Sequence, residues 1–247
     1  MKALFTLLLA LMGHQVFACV CFPMKLMERY IRSDFVATAK IIDIARDGQN
    51  EDFHTAEISI ATLYKGSAIN SLRIYTSLNS SCGFYTPKNT TWLIFASKNN
   101  SGDLVFGSCS GSEQVDKTYD SEYFVRKYTE EELIAIRAKR YKTMQQKLEV
   151  LQYIKDSDLY PTNEYRLKTY FMDECLWQPR SFTITTPPYA FYELAVDTNL
   201  KIKMIKPLKE LGNAPLDAAL LNCIKEHTIL RGLKNKKSIP TDTKLTL

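Results

Sequence analysis

Histidine is scarce in this sequence, and its scarcity limits the chemistry that the chain can perform. The sequence has three histidines in 247 residues, and one of them, His14, lies in a segment that we expect to be removed. His54 and His227 are too few for a histidine-based zinc site of the chain's own, and no His-Glu-x-x-His pattern occurs. We therefore expect no enzyme activity, no catalytic residues, no metal of its own and no cofactor.

A hydrophobic run long enough to cross a membrane is also missing at the start of the chain. The apolar run from Ala3 to Met12 is too short, because a spanning helix needs about 20 residues. It follows Lys2 and is succeeded by Val16-Phe17-Ala18, which is typical of a signal peptide cleaved after residue 18. We expect a periplasmic or secreted protein that begins at Cys19 and has no transmembrane span. Acylation of Cys19, which would attach the chain to lipid, is the alternative.

A strong charge of either sign is the third absence. The formal net charge of +5 falls by one when Lys2 leaves with the signal peptide, which is too mild to indicate a nucleic-acid partner.

The number and position of the cysteines indicate disulfides. All six cysteines follow residue 18, and an even number in an oxidising compartment predicts a disulfide framework. The residues alone leave the pairing open.

Residues 34 to 109 are predicted to form short strands separated by turns. Alternating apolar and polar residues, or short apolar runs, recur between turn-forming residues such as Asn99 to Gly102. Such strands suit a small closed barrel, in which closure removes the exposed sheet edges. A two-sheet sandwich has the same periodicity, so the pattern leaves both open. The predicted strands are 35–44, 56–60, 72–76, 92–96 and 104–107.

Five short motifs occur in this part of the chain. They are Cys19-Val20-Cys21, Asp34-Phe35-Val36-Ala37-Thr38-Ala39-Lys40, Tyr64-Lys65-Gly66, Ser81-Cys82-Gly83 and Ser108-Cys109-Ser110. In this order, over about residues 19–112, they resemble the N-terminal domain of the tissue inhibitors of metalloproteinases, within the wider netrin-module family. The resemblance implies a five-stranded OB-like barrel with disulfides Cys19–Cys82 and Cys21–Cys109. The family's third N-terminal cysteine is absent, so we expect residues 22–32 to be held less firmly.

The resemblance also implies a function for the mature N-terminus. In these inhibitors the α-amine and carbonyl of the first cysteine chelate the catalytic zinc of a protease, and the second residue enters the specificity pocket. The corresponding inhibitory edge here is Cys19, Val20 and Cys21, with Cys19 ligating the zinc of the target. Netrin modules without inhibitory activity are also common, and a fold does not fix a function. Our first hypothesis is therefore an exported, non-catalytic binding protein of the cell envelope, and metalloprotease inhibition is the sharper alternative.

A long helix is predicted after the barrel. Thr129 followed by Glu132 forms a capping box, and apolar residues recur at helical spacing as far as Asp156. The apolar stripe of this helix could pack on the barrel, which is the commoner arrangement, or remain available to a partner. We expect residues 113–160 to be a helical connector that ends at the turn-forming stretch 158–163.

The last segment is predicted to be a small α/β domain, residues 161–247. Strands are expected at 190–196, 201–206 and 244–247, with a helix around Leu216 to Cys223. The stretches Val196–Ile202, Leu216–Leu220 and Ile239-Pro240 resemble the C-terminal domain of TonB, a periplasmic energy transducer, over about residues 187–247. The resemblance implies a bacterial protein whose domain binds short peptides or outer-membrane receptor segments, and TonB-type transport is a third functional hypothesis. Cys175–Cys223 is the remaining predicted disulfide.

Overall fold

The structure is a computed structural model, and it divides the chain into two compact units. The first consists of Met1–Lys25 with Ser33–Lys117, and the second of Leu26–Arg32 with Thr118–Leu247. The predicted domain boundaries at residues 112 and 160 stay predictions, because the second of them lies where the structure is not described. The residues described here are 21–22, 24–78, 80, 82–118, 127–157, 165–167, 189–197, 202–227, 230–232 and 243–246.

The predicted signal peptide (residues 1–18), Cys19, Val20 and Cys175 lie outside the described residues. The elements of the first unit are β1 (Phe35–Arg46), β2 (Phe53–Lys65), β3 (Ser71–Tyr75), β4 (Thr91–Lys98), β5 (Leu104–Gly107) and β6 (Glu113–Gln114). Those of the second unit are α1 (Leu26–Arg32), α2 (Glu130–Asp156), β7 (Tyr165–Leu167), β8 (Phe191–Val196), β9 (Ile202–Lys209), α3 (Ala214–His227), β10 (Leu230–Gly232) and β11 (Thr243–Thr246).

The sheet of the first unit closes into a barrel. Strand β1 pairs with β2 along one side and with β4 along the other, so the order β1-β2-β3-β5-β4 returns to β1. The pairings are antiparallel except that of β3 with β5, which is parallel. The short β6 adds to β4 outside this ring. Closure confirms the predicted five-stranded OB-like barrel, in an α+β protein, over the sandwich.

Strand β1 supplies alternate side chains to the barrel core. Phe35, Ala37, Ala39 and Ile41 are each 0% exposed, whereas Lys40 points away from the core and is exposed. Small alanines on this strand leave room for larger rings from β4, from β5 and from the loop after β3. Phe84, Trp92 and Phe106 fill that room, and the three rings contact one another with centroid distances of 5.4, 5.8 and 6.4 Å.

Asp34 and Gly66, two residues of the motifs, have structural roles at the start of β1. The Asp34 amide donates to the carbonyl of Ala96 at 2.9 Å, and the Asp34 carboxylate accepts from the Lys98 amide at 2.7 Å, so Asp34 closes the β1–β4 ladder. Gly66 packs against the same residue. Its φ is +90°, and a Cβ placed there would lie 2.6 Å from the Asp34 carbonyl oxygen. Only glycine combines this backbone conformation with so close an approach.

Helix α1 was not predicted from the sequence. It belongs to the second unit although the chain on either side of it belongs to the first. Glu28 and Arg32 form an ion pair at 2.7 Å across one turn, and Tyr30 is buried. The segment that we expected to be held less firmly therefore has regular structure and a buried aromatic side chain.

Helix α2 begins at the predicted capping box and has the predicted length. The Thr129 hydroxyl accepts from the Glu132 amide at 3.3 Å, and the Glu132 carboxylate accepts from the Thr129 amide at 2.7 Å. Near the other end, Tyr153 stacks on Phe191 at 5.2 Å and donates a hydrogen bond to the Leu208 carbonyl at 3.0 Å. These contacts join α2 to the β8–β9 hairpin within the second unit.

The predicted elements of the C-terminal segment are present. Strands β11, β8 and β9 form an antiparallel sheet in that order, and α3 lies between β9 and β11 in the sequence. Tyr192, Leu194 and Ile224 form the buried cluster between this sheet and α3. The elements agree with the prediction, and the resemblance to TonB itself stays a prediction.

Candidate functional site

A disulfide between Cys21 and Cys109 fastens the start of the described chain to the barrel. The two Cα atoms are 5.1 Å apart, and the residues are 88 positions apart in the sequence. In the chain-entropy account, closing a loop of this length stabilises the fold by about 4.5 kcal/mol. Both cysteines are exposed. The bridge confirms the Cys21–Cys109 pairing and fixes the backbone immediately after Cys19 and Val20.

Cys109 is presented by a tight turn at the end of β5. The Ser110 amide donates to the Gly107 carbonyl at 3.0 Å, and the Ser110 hydroxyl donates to the same carbonyl at 2.7 Å. The Ser112 amide donates to the Ser110 hydroxyl at 3.1 Å, and the Ser112 hydroxyl accepts from the Phe95 amide on β4 at 2.8 Å. The serine that follows Cys109 in the motif therefore holds the turn to the barrel wall.

Gly107, the last residue of β5, lies close to the backbone of β3 at the point where this turn begins. A Cβ placed on Gly107 would lie 2.9 Å from the carbonyl oxygen of Tyr75 on the neighbouring strand β3. The absence of a side chain lets the two backbones approach, so that β5 can pair with β3 up to its last residue.

Cys82 is presented by a second turn, which follows β3. The Ser80 hydroxyl accepts from the Cys82 amide at 3.1 Å and donates to the Ser77 carbonyl at 2.9 Å. Ser77 has a φ of +37°, which is uncommon for a residue other than glycine. The Phe84 amide then donates to the Thr76 carbonyl at 2.8 Å and closes the loop. The loop around Cys82 is thus fixed by its own serines.

A neighbouring loop supports the Cys82 turn. The Asp52 carbonyl accepts from the Thr76 amide at 2.8 Å and from the Thr76 hydroxyl at 3.0 Å. That loop begins at Asp47, whose carboxylate accepts from the Gln49 amide at 2.9 Å and pairs with Arg73 on β3. The hydrogen bond from Gln49, followed by the bond from Arg73, holds the pKa of Asp47 below its ordinary value. The carboxylate therefore stays charged and keeps the loop in place.

Three large apolar side chains next to these cysteines are exposed. Phe22, directly after Cys21, is 85% exposed, and Leu78 and Tyr85 on either side of Cys82 are 49% and 73% exposed. We call Cys21, Phe22 and the two turns that present Cys82 and Cys109 the stapled edge. Rigid backbone with exposed aromatic rings is what a protein-binding surface offers, because aromatic residues provide much of the energy of such interfaces.

The sequence predicted the cysteines of this site but not its apolar side chains. Cys82 and Cys223 are disulfide-bonded. Their predicted partners, Cys19 and Cys175, lie outside the described residues, so these two pairings and the roles of Cys19 and Val20 stay predictions. The available signal was the position of Phe22 directly after Cys21 and of Tyr85 three residues after Cys82, in segments with turn-forming residues.

In the described residues, no group of three or more His, Cys, Asp or Glu side chains is placed to hold a metal ion. Nor does any described helix have the length and apolar character needed to cross a membrane. The disulfide indicates an oxidising compartment.

Comparison with known proteins agrees with the geometry of the first unit. Residues 17–131, which are less than half of the chain, match the family described as tissue inhibitor of metalloproteinase. Among curated protein sequences there is no match. The segment is therefore a tissue-inhibitor-like domain with a closed five-stranded barrel.

Proposed function

We propose, from the tissue-inhibitor-like domain at residues 17–131, that this chain is an exported, non-catalytic protein that binds a protein partner through the stapled edge. The observation that supports this most is the Cys21–Cys109 bridge with the exposed Phe22 beside it. The stability of the barrel does not require an exposed aromatic side chain next to the bridged Cys21. An edge that is already rigid loses little conformational freedom on binding, which favours affinity.

The sharper form of the proposal makes the partner a zinc metalloprotease. Cys19 and Val20 precede the fixed Cys21 by two residues, so the N-terminus of the mature chain can extend by at most about 7 Å from it. An α-amine has an ordinary pKa of about 7.7 to 8.0, so part of it is unprotonated at neutral pH, and zinc favours that form. The Cys19 amine and carbonyl would chelate the zinc of the protease, and Val20 would enter the specificity pocket.

The exposed side chains of the stapled edge would supply contact area around the zinc. Phe22 follows Cys21 directly, and Leu78 and Tyr85 lie in the loop that holds Cys82. The predicted Cys19–Cys82 bridge would bring that loop to the N-terminus. Without that bridge no covalent bond would hold the Cys82 loop next to Cys19. The Cys19–Cys82 pairing is therefore part of the proposal.

The test compares three forms of the mature protein against a panel of zinc metalloproteases. The first begins at Cys19, the second has one alanine before Cys19, and the third has Val20→Gly. The alanine turns the amine into an amide that cannot ligate zinc, so we expect inhibition by the first form and none by the second. Val20→Gly should weaken inhibition by at most about 3 kcal/mol, because only pocket contact is lost. Equal inhibition by the first two forms would contradict zinc chelation.

Binding without inhibition is distinguished by a second measurement. Phe22→Ser changes the stapled edge while leaving the N-terminal amine, Cys19 and Cys21 intact. If the partner is not a protease, Phe22→Ser should weaken its capture while the added alanine has no effect. The control variant is Lys98→Ser, which changes an exposed side chain at the end of β4 and should leave capture unchanged. Intact mass before and after reduction shows whether the chain starts at Cys19, whether Cys19 is acylated and how many disulfides it has.

A further inference from the structure

One arc of helix α2 exposes large apolar side chains. Ile134 and Tyr141 are 56% and 68% exposed, and Ala138 between them is exposed as well. Residues three, four and seven positions apart share a helix face, so the three form one stripe. The buried residues of α2 are Leu133, Met144, Leu151 and Ile154. The exposed stripe is therefore distinct from the residues that α2 contributes to the core.

Basic residues surround this stripe. Residues 133–148 include five basic residues and no acidic one, and the exposed Glu131 and Glu149 lie on the same face, one turn before Ile134 and two turns after Lys142. Lys142 continues the row of Ile134 and Ala138 by one further helical turn, and Arg137 lies one turn after Ile134 on the other flank. Arg137, Lys139 and Lys142 are exposed. We call Ile134, Arg137, Ala138, Lys139, Tyr141 and Lys142 the basic face.

We propose that the basic face binds the surface of an anionic lipid membrane. A helix with exposed apolar residues between lysines and arginines is typical of peripheral binding, in which apolar side chains enter the headgroup region and cations pair with lipid phosphates. Tyrosine suits this depth because its ring is apolar and its hydroxyl is polar.

An acidic protein surface is a less complete match for the basic face. It would pair with Lys139 and Lys142, but charge pairing alone gives no reason for two large apolar side chains on the same stripe. A lipid surface accounts for both the charge and the apolar exposure. This binding is independent of protease inhibition, since the basic face lies on α2 and the stapled edge on the barrel unit.

The test uses the complete mature protein and sedimentation with lipid vesicles. Vesicles that contain phosphatidylglycerol should bind the protein, and vesicles of phosphatidylcholine alone should bind it much less. Binding should weaken as salt rises from about 0.05 to 0.5 M, because the attraction between exposed charges is screened. Equal binding to both kinds of vesicle would overturn the proposal.

Two charge variants locate the binding to α2. Lys139→Gln with Lys142→Gln should weaken binding about 25-fold, because one lysine near an anionic surface contributes about fivefold. The matched control is Lys40→Gln with Lys98→Gln, which removes the same charge from two exposed positions of the barrel strands and should change binding less than about twofold. Equal losses in the two variants would show that only net charge matters and would overturn the proposal.

A third variant tests the apolar half of the basic face. Ile134→Ser with Tyr141→Ser keeps every charge and changes two exposed residues, so circular dichroism should show unchanged helix content. Binding to phosphatidylglycerol vesicles should nevertheless fall about tenfold or more, since the variant lacks the two apolar side chains that would enter the headgroup region. Full binding by this variant, or binding of the unaltered protein to polyglutamate but not to vesicles, would assign the basic face to an acidic protein partner instead and overturn the lipid proposal.

Discussion

The barrel and the three-stranded sheet of the second unit differ in how their edge strands are paired. The barrel pairs β1 with β4 and leaves no free edge within that ring, whereas in the described residues the sheet of β11, β8 and β9 has an edge strand on either side. In the described residues, the buried cluster of the barrel has twelve hydrophobic members and that of the C-terminal sheet has three. The barrel therefore has a hydrophobic core made of its own residues, and burial of that apolar surface is its main stabilising term.

The difference shows where each unit obtains its rigidity. In the barrel, closure, a disulfide and glycines at close approaches all act on the backbone that presents the stapled edge. In the second unit, the rigidity of the backbone depends more on contacts made by side chains. Tyr153 from α2 is stacked on Phe191 and bonded to the Leu208 carbonyl, and Asp217 accepts from the Leu211 and Asn213 amides at 2.7 and 3.1 Å to hold the start of α3.

Removing the Cys21–Cys109 bridge should produce the largest effect. The variant Cys21→Ser with Cys109→Ser should lose about 4.5 kcal/mol in the free energy of unfolding of the barrel, through the entropy gained by the unfolded chain. Hydrogen exchange read by mass spectrometry reports the two units separately. Exchange should rise in the barrel strands and stay unchanged in β8, β9 and α3.

The matched control for this prediction is Cys223→Ser, in the second unit. Its effect should be confined to the exchange of β8, β9 and α3. Equal destabilisation of both units by either change would contradict the division into two separately stabilised units. Non-reducing peptide mapping of the unaltered protein should show Cys82 linked to Cys19 and Cys223 linked to Cys175. A peptide that joined Cys82 to Cys175 would defeat the predicted pairing.

The barrel strands and α2 could be predicted from the sequence because their signals are local. Alternation, short apolar runs and turn residues place all five strands within five residues of where the structure has them, and the capping box at Thr129 gives the first residue of α2. The choice between barrel and sandwich could not be predicted in this way. It depends on the pairing of Phe35 with Ala96 and of Lys40 with Thr91, which are contacts between distant positions that no periodicity records.

The short elements and the apolar part of the site were missed for a different reason. Helix α1 has seven residues and β6 has two, so neither is long enough to show a period. The i to i+4 pair of Glu28 and Arg32 was a usable signal for α1. For the site, the motifs indicated Cys21, Cys82 and Cys109, but exposure of Phe22 depends on how the bridge directs the chain. That direction is a property of the folded backbone.

A pair of glycines sharpens the comparison between the two units. Gly66 in the barrel has a φ of +90° and Gly212 in the second unit has a φ of +80°. A Cβ at Gly66 would meet the Asp34 carbonyl oxygen at 2.6 Å, whereas nothing lies within 4 Å of a Cβ at Gly212. Gly212→Ala should therefore lose only the backbone preference, about 1 kcal/mol, and Gly66→Ala should lose about 3 kcal/mol because the clash forces β1 and β2 apart.

Urea unfolding of the two alanine variants measures both values under one condition. The backbone terms are similar, so the difference between the variants isolates the effect of the close approach to Asp34. Equal losses would mean that the barrel relaxes around the new methyl group as readily as open surface does. The barrel would then be less rigid at this end than its closure implies.

Tyr192 should give the smallest effect, and one that is specific to the second unit. Its hydroxyl is buried and has no hydrogen-bond partner in the described part of the chain. Burial, followed by the nearby charges of Asp217 and Glu210, raises the pKa of Tyr192 to about 12. Tyr192→Phe removes a buried polar atom, so at neutral pH it should leave stability unchanged or raise it by up to about 1 kcal/mol.

The pH dependence of the same variant tests the raised pKa of Tyr192. An unfolded tyrosine has a pKa of about 10, so between pH 10 and about 12 the unfolded chain releases the Tyr192 proton while the folded chain keeps it. The stabilisation from this residue is complete below pH 10 and is lost as the pH rises through that interval.

Urea unfolding at several pH values above about 9 measures this effect. The free energy of unfolding should fall less steeply with pH for Tyr192→Phe than for the unaltered protein. Identical slopes for the two proteins would show that the Tyr192 hydroxyl reaches water in the folded state, and that the small C-terminal core is looser than the barrel even where its side chains are buried.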